Sequence, residues 1–519
     1  MCPACPARTR RARRARPHTP WLIPTAATSA GALSLLDILL PRNPKADDAQ
    51  SLLSAVAQLS PAELVFAFPQ LSLWEERKGP FTDIHLPCFH RATSIELDMP
   101  RFLVRVPPAG EFPVLERLSV SGGIAEIGTL VTRCPRLRVL RAKFRGLVPK
   151  SVALALGSLK AALHSPQAAV SLLLDICISE LNYSLLHSAT ELSPEEFVYK
   201  SCASSYGTLE FPSFHRATSI EIVWHGMSFT QMPCSSEFFA LERLRLSGCT
   251  IVDLGEFISC CPRLRVLRVD GATNDCHIMV HSASPQELFL GTYKECRGID
   301  IATPMLKQLA MEVHAGVHLD VSVFAPFVEK VSWQRSYTRP ALVFGCWLLR
   351  NLSIQTMPES RHGEGVMPCR AHVLSVDMLC ASQDQSSAWI DFAQEIGKLQ
   401  VTDFSVVDLR LEANGHVYGA ALLHLLQALP AHTISKLRKV TLLRLEKSEV
   451  AAGACIVNCP SDETGNWRSQ TTPLNHLEEV EIRGFRGEDH CFDFLNFILR
   501  LLSFSGRARL GTKGCERGH

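Results

Sequence analysis

Apolar residues recur through the second half of the chain in the form L-x-x-L-x-L, at a nearly constant interval. The series starts at Leu241, Leu264, Pro285, Leu306, Val328, Leu349 and Ala371, each followed by apolar residues three and five positions on. Successive starts are 23, 21, 21, 22, 21 and 22 residues apart. Ala217, with Ile220 and Ile222, adds a unit upstream, and looser units start at Val406, Leu437 and Leu477 after gaps of 35, 31 and 40 residues. In a strand, alternate side chains face opposite ways, so the apolar pair of each unit points inward and the residues between point outward. One short strand per unit at this pitch predicts leucine-rich repeats, each strand followed by a turn and a helix or irregular return. The stretch IVDLGEFISCCPRL (251–264) shows one return: Leu254, Phe257 and Ile258 stand at helical spacing, and Pro262 follows where a helix cannot continue. The expected fold class is α/β, a leucine-rich-repeat solenoid: a curved parallel strand array with helices or irregular returns on the convex side.

A second repetition exceeds this pitch. CCPRLRVLRV (260–269) has a near twin in RCPRLRVLRA (133–142), FPSFHRATSIEI (211–222) in LPCFHRATSIEL (86–97), LERLRLSGC (241–249) in LERLSVSGG (115–123), and LSPEEFVY (192–199) in LSPAELVF (59–66). From Pro135 to Pro262 is 127 positions, several units long, so a block of the array is duplicated and only the second copy runs on to the C-terminus. Between the copies, residues 151–189 are rich in helix formers at helical spacing and read as a helical spacer or cap.

Composition changes this picture little. The 519 residues, 46% hydrophobic and 20% charged, are ordinary for a globular chain, and 53 Lys+Arg against 51 Asp+Glu give no global field for nucleic acid or an anionic membrane. The cysteines number 19, an odd count scattered through apolar periods, as at Cys249, Cys260, Cys261 and Cys380. They read as small buried hydrophobes in a reducing compartment, which places the protein in the cytoplasm, the nucleus or both. Arginines crowd the start (Arg8, Arg10, Arg11, Arg13, Arg14, Arg16), with Pro17, Pro20 and Pro24 breaking any helix. This segment reads as a disordered basic tail, with an organelle presequence, a nuclear signal or a secretory leader as alternatives. No apolar run approaches the length of a membrane helix.

Catalytic and metal-binding constellations fail on spacing or context. Cys2 and Cys5 form a lone C-x-x-C with no second pair, Cys455 and Cys459 lack histidines at ligand spacing, and His362-Gly363-Glu364 is not a zincin helix. No phosphate-binding, dinucleotide or nucleophile-elbow glycine motif occurs. The expectation is a protein that is not an enzyme and carries no cofactor or metal. The outward strand positions offer the candidate site instead: Arg243, Arg245 and Arg268 as a basic group, then Gln308, Glu312, Asn351, Ser353, Asp377, Asp408 and Arg410. This mixed polar surface suits a protein or peptide ligand better than nucleic acid, because no dense basic stripe is interleaved with aromatics.

FPSFHRATSIEI, LSPEEFVY, CPRLRVLRV and the tail NWRSQTTPLNHLEEVEIRGFRGEDHCFDFLNFILR (466–500) closely resemble the plant F-box/leucine-rich-repeat proteins, particularly the large grass branch with an FBD-type C-terminal segment. Leu477, Val480, Ile482, Gly484, Phe485, Gly487, Phe494 and Leu495 stand where that segment has its strand, turn and helix. The resemblance covers residues 45–148 as a partial copy and 165–505 as a fuller one. It implies a substrate-recognition subunit of a cullin–RING ubiquitin ligase, whose F-box grips a Skp-type adaptor while the repeats hold a target protein. ILLPRNP (38–44) looks like the remnant that follows an F-box, and the F-box itself is expected to be missing; an F-box-less binding module or decoy is the alternative. The organisation expected is a basic tail and remnant (1–44), a partial repeat block (45–148), the spacer (149–190), the main array (191–400), C-terminal repeats with the FBD-like segment (401–505) and a disordered tail (506–519).

Overall fold

Inward-pointing apolar pairs must be covered, and strands that bury one row each can only do so side by side. A computed structural model shows how they are joined; it describes residues 33–41, 45–68, 81–107, 110–124, 126–164, 170–179, 182–203, 206–231, 238–251, 254–271, 277–292, 295–358, 370–380, 388–398, 404–412, 419–445, 467, 474, 476–483, 489–501 and 507–511. The chain is α/β, with one large and mostly parallel sheet of 22 strands. Leu35–Leu39 pairs with Glu63–Ala67, which pairs with Ser94–Arg105. Each strand then pairs with the next of the series Arg117–Gly123, Val139–Arg145, Ser171–Ile178, Glu196–Ser201, Ser219–Trp224, Arg243–Ser247, Val266–Asp270, Glu287–Gly291, Gln308–Phe324 and Lys330–Phe344, always in parallel. Short parallel strands in the returns form a second ladder. Gly207–Glu210, Met227–Gln231 and Thr250–Ile251 make a separate three-stranded sheet, while His277–His281 and Cys296–Ala302 pair onward to the far end of Gln308–Phe324.

The register confirms the inward rows. Leu244 lies beside Leu267, Leu288, Leu309 and Val331 in turn, and Leu246 beside Val269, Leu290, Met311 and Trp333. All ten side chains are buried in one apolar core, together with Leu254, Phe257 and Ile258 of the return helix Leu254–Ser259. The twin sequences pack alike. Cys134 and Cys261 close equivalent short helices, their thiols donating to the carbonyls of Leu130 (3.1 Å) and Phe257 (3.4 Å), and Leu140 and Leu267 are each completely buried.

Three expectations of the ladder are corrected, besides that of a disordered tail over 506–519, where Arg507–Gly511 is a strand paired with Glu479–Arg483. The unit starting at Leu349 has the expected spacing but the opposite direction: Trp347–Pro358 is antiparallel to both its neighbours, Lys330–Phe344 and Arg370–Cys380, after which Val406–Glu412, Lys439–Leu445, Glu479–Arg483 and Arg507–Gly511 continue in parallel. The cause is the two-residue turn between Phe344 and Trp347, where Gly345 adopts φ +52. A turn this short returns the chain antiparallel, whereas a parallel neighbour needs a crossover of about a dozen residues. The length a return would use is taken up by the fifteen-residue strand Lys330–Phe344. Second, the segment read as a helical spacer holds helices Pro149–Leu163 and Ser184–Thr190 with the strand Ser171–Ile178 between them, its Leu172, Leu174 and Ile176 buried. That strand joins the two duplicated blocks into one ladder. Third, the unit placed at Val406 starts at Phe404: Val407 and Leu409 lie beside Val440 and Leu442, and Phe404 is buried while Val406 is not. A slip of two residues keeps every side chain on its face, so the outward assignment of Asp408 and Arg410 is unaffected.

The strand before the reversed one, Lys330–Phe344, is backed by a buried polar network. Asp391 caps the helix Phe392–Gly397, its carboxylate accepting from the backbone N–H of Ala393 and Gln394. The helix delivers Glu395 to the core, where its carboxylate pairs with Arg335 and accepts from the Tyr337 hydroxyl (2.8 Å) and the Lys398 ammonium (2.8 Å). Arg335 also donates to the Gly316 carbonyl (2.8 Å) and lies over the Tyr337 ring. The segment 484–488, with Gly484, Phe485 and Gly487 of the tail motif, lies outside the described residues, as do Cys2, Cys5, His362, Gly363, Glu364, Cys455 and Cys459. Leu477, Val480, Ile482 and Phe494 of that motif are buried.

Candidate interaction face

The ten candidate residues fall on six of eight consecutive strands, from Arg243–Ser247 to Val406–Glu412, and all are exposed or half-buried. Seven steps of about 4.8 Å between strands give the face a span of about 34 Å. Arg243 and Gln308 lie on one register row with Val266 and Glu287 between them; Arg245 and Arg268 are direct neighbours on the next. Glu312, Ser353 and Asp408 share a third row, linked through Gln334 and Ser375, while Asp377 lies between Asn351 and Arg410 on a fourth. The structure thus gathers the ten into a basic end, a polar middle and a mixed acidic and basic end.

The basic end is less basic than its letters. One oxygen of Glu221 takes both Arg245 (3.5 Å) and Lys200 (3.1 Å), and the Arg268 guanidinium sits 4.2 Å above the Phe289 ring. At the other end Asp377 accepts from Arg350 (3.0 Å) and more distantly from Asn351 (3.4 Å), and Arg350 also reaches Glu412 (3.1 Å). Arg350 escaped the sequence reading for a specific reason: the pairing with Arg370–Cys380 shifts between Leu349 and Asn351, a β-bulge with Arg350 as the extra residue. Alternation assigns it to the wrong face, and no letter marks a bulge.

Beyond Arg410 the face continues through residues not anticipated. Val406, Asp408, Arg410, Lys439, Thr441, Leu443, Glu481 and Arg483 line a shallow depression. There Lys439 lies 3.5 Å from Glu479 and 3.4 Å from Glu481, and Arg483 bonds Glu481 at 2.8 Å. That bond from Arg483, with the nearby Lys439, holds the Glu481 carboxyl below its usual range. The units read at Leu437 and Leu477 already carry this register, and carrying the outward positions on past Arg410 would have reached these residues, which alternate with buried Val440, Leu442, Val480 and Ile482.

Comparison with known proteins adds nothing to this geometry. No family model matches the chain, and neither the curated proteins nor the solved structures yield a match. Among the described residues, no group of three or more His, Cys, Asp or Glu side chains is arranged to hold a metal ion, and no helix is long and apolar enough to cross a membrane. Cys249, Cys260, Cys261 and Cys380 are buried as expected, and burial pushes the Cys249 and Cys261 thiols up to about 12. Neither is a nucleophile at neutral pH. What the face can do is exchange its lateral ion pairs for those of a polypeptide laid across the strands.

Proposed function

We propose that the chain is a non-catalytic protein-interaction module, a leucine-rich-repeat solenoid that binds a target protein across the outward face of its strands. The observation that carries this reading is the outward face of eight adjacent strands, where charged groups of both signs stand among other polar residues with partners close enough to be exchanged rather than created. The resemblance of FHRATSIE, CPRLRVLR and the 466–500 tail to F-box/leucine-rich-repeat proteins supports a narrower form. In that form the chain is the substrate-recognition component of a cullin–RING ubiquitin ligase, and transfer of ubiquitin belongs to other subunits.

Two measurements test the two levels separately. Affinity purification of the tagged full chain beside an R245A/R268A/R410A variant should give proteins retained by the first and lost from the second; identical sets refute the face. Co-purification with a Skp-type adaptor and cullin, with an intact F-box protein as control, tests the ligase reading. Failure there, with the control working, leaves a binding module unconnected to ubiquitination.

A further inference from the structure

The buried sulfurs of Cys346 and Cys380 lie 2.8 Å apart although the residues are 34 positions apart in sequence. A bonded pair needs about 2.05 Å, so small side-chain adjustments separate contact from bond. The placement follows from the reversed strand. Cys346 occupies the two-residue turn after Gly345, and Cys380 ends the strand Arg370–Cys380, where it is the register partner of Trp347, the residue next to Cys346. Other buried thiols of the chain point at backbone carbonyls nearby in sequence: Cys134 at Leu130, Cys260 at Glu256, Cys261 at Phe257 and Cys296 at Gly298. Cys346 and Cys380 also meet each other across the sheet, and no disulfide joins them in the structure.

We propose that Cys346 and Cys380 are a redox modification site, a thiol pair that a peroxide converts to a disulfide tying the turn at Gly345 to the end of the strand Arg370–Cys380. One thiol takes the hydroxyl of the peroxide to become a sulfenic acid, with release of water. The second thiol displaces that hydroxyl, the S–S bond forms, and the displaced oxygen leaves as a second water. Two thiols lose two electrons and two protons, and hydrogen peroxide is reduced to two waters. Entry lies at the turn, where Gly345 is only half-buried and opening of a single loop uncovers Cys346. The bond would fix Trp347–Pro358, the strand carrying Asn351 and Ser353, between its neighbours. The inference does not depend on the proposed target binding.

The test uses the reduced full chain and hydrogen peroxide as the probe. The sample is quenched with an alkylating agent, digested without reductant and read by mass spectrometry. Exposed Cys202 reports the dose delivered. The expected result is a linked Cys346–Cys380 peptide that dithiothreitol reverses and that is lost in either C346A or C380A. Recovery of both cysteines fully alkylated after denaturation, at doses that oxidise Cys202, overturns the proposal, as does a linkage of either one to another cysteine. The decisive readout is on the unsubstituted protein, so a variant that fails to fold does not affect it.

Discussion

Replacing Glu395 with leucine removes the carboxylate that three side chains share in the core. Arg335 and Glu395 are 3% and 2% exposed, so neither has water to fall back on. Breaking such a buried pair from one side costs about 3–5 kcal/mol, because the remaining charge stays buried. The lower part of that range is expected: Arg335 keeps the Gly316 carbonyl at 2.8 Å and the Tyr337 ring, and Lys398, 20% exposed in its side chain, can turn to solvent. Global unfolding of a long array is a poor reporter, since cooperativity breaks down between distant units. Hydrogen exchange of the Phe392–Gly397 helix measures the local opening directly. At about 1.4 kcal/mol per decade, E395L should accelerate exchange there by about two to three decades. Arg335→Met combined with Glu395→Leu should recover most of the loss, because two apolar side chains leave no orphaned charge. An acceleration below about fivefold in the single variant, corresponding to about 1 kcal/mol, would refute the view that this network holds the helix to the strand Lys330–Phe344.

Other outcomes follow from particular contacts. Leu140→Ala and Leu267→Ala, at twin positions of equal burial, should each destabilise by about 2–5 kcal/mol, checked by urea unfolding of their own regions; a cost confined to one copy would show that the duplicates do not pack alike. Gly419→Ala drives a methyl into the Trp467 ring at the start of helix Gly419–Ala428, and overpacking of about 1–3 kcal/mol should appear as faster hydrogen exchange of that helix. Burial against the Phe344 ring lowers the His424 pKa, with Asp391 opposing. The unfolded chain then binds the extra proton first, so stability should fall as pH drops through about 6.5, and His424→Phe should flatten that part of the melting profile.

The sequence made the inward rows legible because burial imposes them with a period of two and the pitch imposes their spacing; Leu244, Leu267, Leu288 and Leu309 are neighbours as their letters imply. Direction was not legible. A buried alternation such as Leu349, Leu352 and Ile354 looks the same whichever way the strand runs, and only the tight turn at Gly345 decides it. Ser171–Ile178 was hidden for a similar reason, since its leucines suit a helix as well as a strand and the ladder on either side overrode the propensity. Of the site, Arg243, Arg245, Arg268, Asp408 and Arg410 were found by parity alone. Arg350 and Glu412 were not, because a bulge and a pairing through 62 residues of chain leave no local trace.

The reversed strand also constrains how such a chain can change in length. Where every neighbour is parallel, one unit can be gained or lost and the rest of the ladder simply moves along. Deleting Trp347–Pro358 alone would leave all that follows running against the strands before it, with each turn and return on the wrong end. In this stretch, growth and loss must come in twos, so the hairpin marks a boundary between a region free to count in single units and one bound to even numbers.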